Sequence, residues 1–346
     1  MDQPSFTEIT ELGEFGLIDY LTRNNIIQNA STIKGVGDDS AVIDNKGFQT
    51  VVSVDMLVEN VHFDRMYTPL KHLGYKAITS GISDIYAMNA KAEQVIVSIA
   101  VSNQISVEML SEIYSGMYTA CNLYNVDLVG GDTTTIQTGM VINVTSIGKA
   151  KPEDIVYRNT AKNNDLICVT GDLGSAYLGL LVLEREKKVF LESTGVQPKL
   201  EGYDYILKRQ LTPEARVDIP PLFRDLQIKP SSMIDISDGL SSEIIHICKQ
   251  SDAGCKLFEE KIPIDPATYQ FAREFNLDPT MCALNGGEDY ELLFTIPVND
   301  FEKIKNHPDF TAIGHMTDVP GDYRLITKSQ NEHQLKAQGW KVFDKK

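Results

Sequence analysis

Aspartates beside glycine or at the end of an apolar run are the sequence feature that most limits how this chain can fold. Asp55 ends the apolar run 51–54, and Asp132 follows a pair of glycines. Glycine allows a sharp turn and the close approach of a ligand, and α/β folds place their sites at strand ends. One such aspartate is typically a helix cap or a turn residue, but the repetition predicts one shared site. The acidic set consists of Asp38, Asp39, Asp55, Asp84, Asp132, Asp235, Asp238, Glu288 and Asp289.

If these carboxylates converge, they must take up cations or protons. Two unit charges about 4 Å apart repel by roughly 4 kcal/mol at an effective dielectric constant near 20. Oxygen ligands suit Mg²⁺ or Ca²⁺ rather than zinc. We expect several Mg²⁺ ions that join the protein to phosphate groups, because Mg²⁺ typically binds carboxylates together with substrate phosphates. A structural Ca²⁺ site is the alternative, although the spacing of an EF-hand is absent.

The net charge of −16 excludes some partners and favours others. Such an acidic surface repels nucleic acid and anionic lipid. We therefore expect neither a nucleic-acid partner nor a membrane partner. A polyanionic ligand would need cations as mediators. The sequence carries no P-loop and no protein-kinase motif, and the short glycine-containing segments 35–37 and 130–131 are weak phosphate signals by themselves.

Helix-like and strand-like segments alternate along the chain, which predicts an α/β or α+β fold. The predicted helices are 11–24, 71–88, 107–124, 175–186 and 240–251. The predicted strands are 40–43, 50–54, 94–101, 140–148, 166–170, 234–236 and 292–296.

The length of 346 residues indicates two domains, at roughly 150 residues each. The polar stretch 151–164 has the composition of a linker. We therefore expect one domain over 1–150 and a second over 160–346. The charged stretch 185–203 is predicted to be an exposed loop, and we assign it no role.

The cysteines and the apolar runs indicate a cytoplasmic enzyme. Five cysteines are scattered without a CxxC pair, which is typical of free thiols in a reducing compartment. No apolar run approaches the roughly 20 residues of a membrane helix. The first residues lack the basic and apolar regions of a signal peptide.

Eight motifs occur in a fixed order: ELGEFGLI at 11–18, GVGDD at 35–39, SVD at 53–55, NVHF at 60–63, SDI at 83–85, GGDT at 130–133, MIDISDGL at 233–240 and GGEDYEL at 286–292. Together they resemble the motifs of the thiamine-monophosphate kinase family, within the aminoimidazole ribonucleotide synthetase-like superfamily of ATP-binding proteins. The resemblance implies ATP-dependent phosphorylation of thiamine monophosphate to thiamine diphosphate by direct in-line transfer. It also implies a homodimer paired through an N-terminal domain that binds ATP and Mg²⁺, with the active site completed by the C-terminal domain.

The same resemblance implies three groups of site residues and no acid–base catalyst. The implied metal ligands are Asp39, Ser53, Val54 through its carbonyl, Asp55, Asp84, Asp132, Asp235 and Asp238. The implied ATP contacts are Tyr114, Gly131, Asp132, Arg158 and Ser237. The implied substrate contacts are His62, Glu288 and Trp340, and the last two suit a cationic thiazolium because an aromatic ring and a carboxylate both attract a cation.

Two other interpretations stay open. The first is a sibling ATP-dependent synthetase of the superfamily. A selenophosphate synthetase needs a reactive cysteine near the N-terminus, whereas the first cysteine here is Cys121, and the hydrogenase-maturation enzyme needs a C-terminal cysteine, whereas this sequence ends in FDKK. The second is a non-enzymatic assembly protein, which would bind Mg²⁺ or Ca²⁺ without turning over ATP.

Overall fold

The computed structural model describes residues 32–34, 37–192 and 197–339, which form two mixed sheets with helices packed against them. The strands are β1 Thr32–Lys34, β2 Ala41–Asn45, β3 Phe48–Val58, β4 Lys91–Val101, β5 Asp127–Thr135, β6 Met140–Ala150, β7 Leu166–Thr170, β8 Ser232–Asp235, β9 Gly254–Phe258, β10 Leu292–Ile296, β11 Phe310–Thr317, β12 Tyr323–Ile326 and β13 Glu332–Gln334. The helices are α1 Leu70–Ala87, α2 Val107–Tyr124, α3 Ser175–Glu192, α4 Asp204–Leu211, α5 Ile219–Asp225, α6 Leu240–Gln250, α7 Pro266–Glu274, α8 Pro279–Asn285 and α9 Phe301–Ile304.

The first sheet has six strands in the order β1-β2-β3-β6-β4-β5. Only β4 and β5 pair in parallel; the other neighbours are antiparallel. Side chains alternate between the faces of a strand. Ser53 and Asp55 therefore point to the face that carries α1, whereas Val54 and Met56 point outward and are 60% and 53% exposed.

Helix α1 is held against α2 by two glycines. A Cβ atom on Gly74 would lie 1.8 Å from the carbonyl oxygen of Ile113, and one on Gly116 would lie 1.9 Å from that of Lys71. Any larger residue would push the helices apart, because neither backbone oxygen can give way cheaply. This close packing fixes α1, which also reaches strand β8 of the second sheet.

The second sheet has seven strands in the order β13-β12-β9-β11-β7-β10-β8. Its neighbours pair antiparallel, except β9 with β12. The edge strand β8 ends at Asp235, and α6 begins five residues later. The segment between β6 and β7 carries no helix or strand and runs past the junction of the sheets.

The structure confirms the predicted mixed α/β fold, while the domain boundaries stay a prediction. The helix over 107–124 is confirmed, and its cap Ser106 accepts a hydrogen bond from the backbone N–H of Met109. The strands over 166–170 and 292–296 are confirmed as β7 and β10. The predicted helix over 11–24 lies outside the described residues. All five cysteines are buried and free, and no helix in the described ranges is long and apolar enough to cross a membrane.

Two predictions about local structure were wrong. The stretch 185–203 is not wholly a loop, because α3 continues to Glu192. The buried face of that helix continues through Val182, Leu183 and Glu186. Charged residues between them hide the helical spacing of the buried positions in the sequence. Asp55 does not end a strand, since β3 runs on to Val58 with alternating inward side chains.

Candidate active site

Three carboxylates that are far apart in sequence meet between the two sheets. Asp39 precedes β2, Asp84 lies on α1, and Asp235 ends β8. One oxygen from each lies within 4.8 Å of the others, and we call these residues the acid cluster. Asp39 and Asp235 are almost fully buried, at 8% and 3% exposure.

Two serines fix the orientation of the acid cluster. The hydroxyl of Ser53 on β3 donates a hydrogen bond to Asp84. The hydroxyl of Ser83 donates to Oδ2 of Asp235 over 2.6 Å, across the gap between the sheets. Because Ser83 and Asp84 are consecutive on α1, this helix is bonded to side chains of both sheets at one place.

Burial and mutual repulsion raise the pKa values around the acid cluster. Burial raises the pKa of Asp55 to about 6. Burial, followed by the charge of Asp39, raises the pKa of Asp235 to about 7. The pKa of Asp84 lies well above its ordinary value because of burial and then the charges of Asp55 and Asp235. Burial and repulsion make the ionised form of these carboxyl groups unfavourable, and a bound cation would stabilise that form. Their oxygen donors fit Mg²⁺.

Arg158 supplies positive charge to one side of the acid cluster. It lies in the segment between β6 and β7, and its guanidinium makes a two-pronged contact with Asp39, with Nε donating to Oδ2 over 2.6 Å. Its Nε also lies 3.9 Å from Oδ1 of Asp38. Burial, followed by the charge of Asp39, raises the pKa of Asp38 to about 6. A fork of this kind also matches the geometry of a phosphate group.

A second group of polar residues, which we call the acceptor group, consists of His62, Lys76, Gln210 and Glu288. Nζ of Lys76 lies 2.7 Å from Oε1 of Glu288, and Nε2 of Gln210 donates to Oε2 of Glu288 over 2.7 Å. Burial lowers the pKa of His62, and the charge of Glu288 acts on it in the opposite direction. Nδ1 of His62 accepts a hydrogen bond from the backbone N–H of Val58, so the neutral ring carries its proton on Nε2.

The backbone around Glu288 explains the glycine pair that precedes it. Gly287 has a φ of +74°, and a Cβ atom there would lie 2.4 Å from the carbonyl oxygen of Ser237. Glu288 itself has a φ of +57°, and its N–H donates to the same carbonyl over 2.7 Å. The turn thus bonds Glu288 to the segment that follows Asp235.

Tyr290 is buried where the charges of both groups act on it. It is 7% exposed, and burial followed by the charges of Glu288, Asp55 and Asp235 raises its pKa well above the ordinary value. Its phenol therefore remains protonated at neutral pH.

The structure brings some of the predicted site residues together and leaves others apart. Asp55, Ser53 and Arg158 surround the acid cluster. Ser237 and Asp238 lie two and three positions after Asp235, and the N–H of Asp238 donates to Glu243. The side chain of Val54 points outward, so only its backbone faces the site.

Tyr114, Gly131 and Asp132 do not join the acid cluster within one chain. Tyr114 lies on α2, which packs on the first half of α1, about 15 Å along the helix from Asp84. Asp132 is exposed and aligns across the sheet with Ser98. The same row of cross-strand neighbours includes Met56, whose side chain faces outward. It does not include Asp55, whose side chain faces inward.

Trp340 lies outside the described residues, so its substrate role stays a prediction. Its neighbour Gly339 packs on the carbonyl oxygen of Asp238. Sequence reasoning missed Lys76, Ser83 and Tyr290. Lys76 gave no distinct signal, and Ser83 and Tyr290 could have been found only from their positions within the motifs 83–85 and 286–292.

Comparisons with known proteins identify the family of this chain. The family model of the AIR synthase related protein, N-terminal domain, matches residues 37–150. Thiamine-monophosphate kinase from Bacillus subtilis is 33% identical over 341 residues, which cover 96% of this chain and 100% of that protein. Its counterpart from Aquifex aeolicus is 30% identical over 336 residues, covering 97% and 99%. The solved structure of AaThiL complexed with AMPPCP and TMP superposes with a TM-score of 0.82 at 28% identity, covering 98% of this chain and 100% of that one.

The match over residues 37–150 places this part of the chain among the N-terminal domains of AIR synthase related proteins. Relatives that are at least 30% identical cover nearly the whole chain, and this gives a narrower family assignment. The chain belongs to the thiamine-monophosphate kinase family. The family predicted from the eight motifs is thereby confirmed, and so is the prediction of an enzyme of the kinase class.

Proposed function

We propose that this protein transfers the terminal phosphoryl group of ATP to thiamine monophosphate, and that Mg²⁺ ions held by the acid cluster assist the transfer. The observation that carries the proposal is the meeting of Asp39, Asp84 and Asp235 within 4.8 Å. Both reactants are polyanions, and phosphoryl transfer depends on charge neutralisation and in-line positioning. Bound Mg²⁺ would neutralise the phosphates and bridge them to the carboxylates.

The surrounding side chains have distinct roles in this proposal. Asp55 and Asp84 hold ions at the first sheet, while Asp235 holds them at the second. Arg158 binds a phosphate of the nucleotide with its fork-shaped guanidinium. No general base is required, because the attacking phosphate oxygen of the acceptor is already ionised at neutral pH.

The acceptor group binds thiamine monophosphate. Glu288 offers a carboxylate to the cationic heterocycle of the acceptor, and His62 contributes a neutral imidazole to the same group. The AaThiL complex with AMPPCP and TMP supports this occupancy by its likeness over nearly the whole chain.

An acceptor assay tests the proposed function. Purified protein is incubated with ATP and a panel of phosphorylated heterocycles that includes thiamine monophosphate, with and without Mg²⁺. We expect thiamine diphosphate and ADP in equal amounts, only with Mg²⁺ present. Turnover of another acceptor alone would favour a sibling enzyme, and Mg²⁺ binding without any ATP turnover would favour an assembly protein.

We propose that two copies of the chain pair through the outward face of the first sheet. Val54 and Met56 expose an apolar surface there, at 60% and 53% exposure, while the helices pack on the opposite face. The predicted metal ligand Asp132 shares a cross-strand row with Met56, so pairing would place it inside the interface.

The substitution Met56→Lys tests this dimer. A charge in the centre of the interface should weaken the dimer by about 30-fold or more, as measured by sedimentation at several protein concentrations. Val298→Lys is the control, because Val298 is 56% exposed and lies beyond the first sheet. A Met56→Lys protein that stays as dimeric as the control would contradict the proposal.

A further inference from the structure

One lysine inside the protein connects the first sheet's helix to the acceptor group. Lys76 lies on α1 and is only 4% exposed. Its Nζ lies 2.7 Å from Oε1 of Glu288 and donates a 3.1 Å hydrogen bond to the carbonyl oxygen of Gln210 on α4. A buried ammonium persists only when it is paired in this way. The same pair therefore holds Glu288 to α1.

Two side chains contact the carboxylate of Glu288, one at each oxygen. Lys76 contacts Oε1, and the amide of Gln210 contacts Oε2 over 2.7 Å. The backbone of Glu288 adds a third restraint, since its N–H is bonded to Ser237. Even so, 27% of the Glu288 side chain stays exposed, so a ligand can still reach it.

We propose that Lys76 is a positioning residue, whose ammonium, together with the amide of Gln210, holds the Glu288 carboxylate in the one orientation that receives the cationic part of the acceptor. The proposal rests on the proposed function and assigns the acceptor's recognition to this network. Lys76 also lies on the same helix as Asp84, eight positions earlier, or about 12 Å along the axis. A single rigid helix thus sets the spacing between the acceptor and the acid cluster.

Steady-state kinetics of Lys76→Met test this role. Losing a charge-assisted hydrogen bond to Glu288 should raise KM for thiamine monophosphate by about tenfold to a hundredfold, while KM for ATP stays within about twofold. Lys76→Arg keeps the charge and should restore part of the loss. The matched control is Lys208→Met, because Lys208 pairs with Glu214 at 2.6 Å on the exposed side of α4.

A double-mutant cycle shows whether Lys76 acts through Glu288. The variants are Lys76→Met, Glu288→Gln and the two combined. If Lys76 only positions Glu288, the combined variant has the same KM for thiamine monophosphate as Glu288→Gln alone. The combined variant leaves no unpaired charge at this position, so it remains measurable even if Lys76→Met does not fold. Losses that multiply in the combined variant would overturn the positioning role.

The outcomes separate this inference from the proposed function. If the wild-type protein does not phosphorylate thiamine monophosphate, the proposed function fails, and the role of Lys76 fails with it. If the wild type is active but Lys76→Met raises both KM values equally, or lowers only the melting temperature, the proposed function stands and the positioning role is wrong.

Discussion

Asp84→Asn lowers the rate of phosphoryl transfer by about 10³-fold, which is the size of effect seen when one preorganised group that stabilises transition-state charge is removed. Asp84 belongs to the acid cluster, with one oxygen within 4.8 Å of oxygens of Asp39 and Asp235. Asparagine keeps the shape and can still accept the hydrogen bond from Ser53. It cannot supply the negative charge that a divalent cation needs. The measurement is the turnover number at saturating ATP, acceptor and Mg²⁺.

The same substitution should stabilise the metal-free protein. Asp84 is pushed toward its protonated form by burial and then by Asp55 and Asp235, so a neutral side chain relieves repulsion in the folded state. The melting temperature in EDTA should rise for Asp84→Asn and stay unchanged for Asp225→Asn, whose side chain is exposed on α5. An inactive variant that melts well below wild type would indicate structural damage rather than loss of an ion.

Removing divalent cations abolishes turnover and makes stability depend on pH. The pKa of Asp55 is raised from 3.8 to about 6, and that of Asp235 from 3.8 to about 7. The folded state therefore binds more protons than the unfolded state between about pH 4 and pH 7, so the free energy of unfolding falls as pH rises through that interval. Below about pH 4 both carboxyls are protonated in either state, and the destabilisation is absent.

Thermal unfolding in EDTA at a series of pH values measures this effect. We expect the melting temperature to fall by at least about 3 °C more between pH 5 and pH 8 than it does with saturating Mg²⁺. Mg²⁺ binds the ionised carboxylates and so removes the repulsion. Asp235→Asn should flatten the profile in EDTA, whereas Asp225→Asn should leave it unchanged. Parallel profiles with and without Mg²⁺ would contradict the assignment of the acid cluster to metal binding.

Much of the fold could be predicted because its signals are local. The helix over 107–124 is marked by its periodic apolar residues and by the cap Ser106, and both lie within a few residues of where they act. The strand around Asp235 was likewise visible in the apolar residues beside it, although the predicted range 234–236 did not place Asp235 at its end. Asp55 was misplaced within its strand, because a carboxylate inside a half-buried strand has the same local pattern as one that ends it.

The assembly of the site could be predicted only in part. The acidic set indicated a cation site, but not which members meet, since Ser83 and Asp235 are joined across 152 positions of sequence. Lys76 gave no distinct signal because its partner Glu288 lies far along the chain, in the segment between α8 and β10, and a lone helical lysine ordinarily points to solvent. Asp132 was grouped with the others by its glycines, although the register of β5 turns it to the outward row.

The decisive measurement is the position of the divalent cations in crystals grown with Mn²⁺, a non-hydrolysable ATP analogue and thiamine monophosphate. We expect anomalous peaks about 2.0–2.3 Å from carboxylate oxygens of Asp39, Asp84 and Asp235, bridging to the phosphates of the nucleotide. Peaks found only elsewhere, with these three side chains bonded to one another or to the protein, would show that the acid cluster does not join the two reactants.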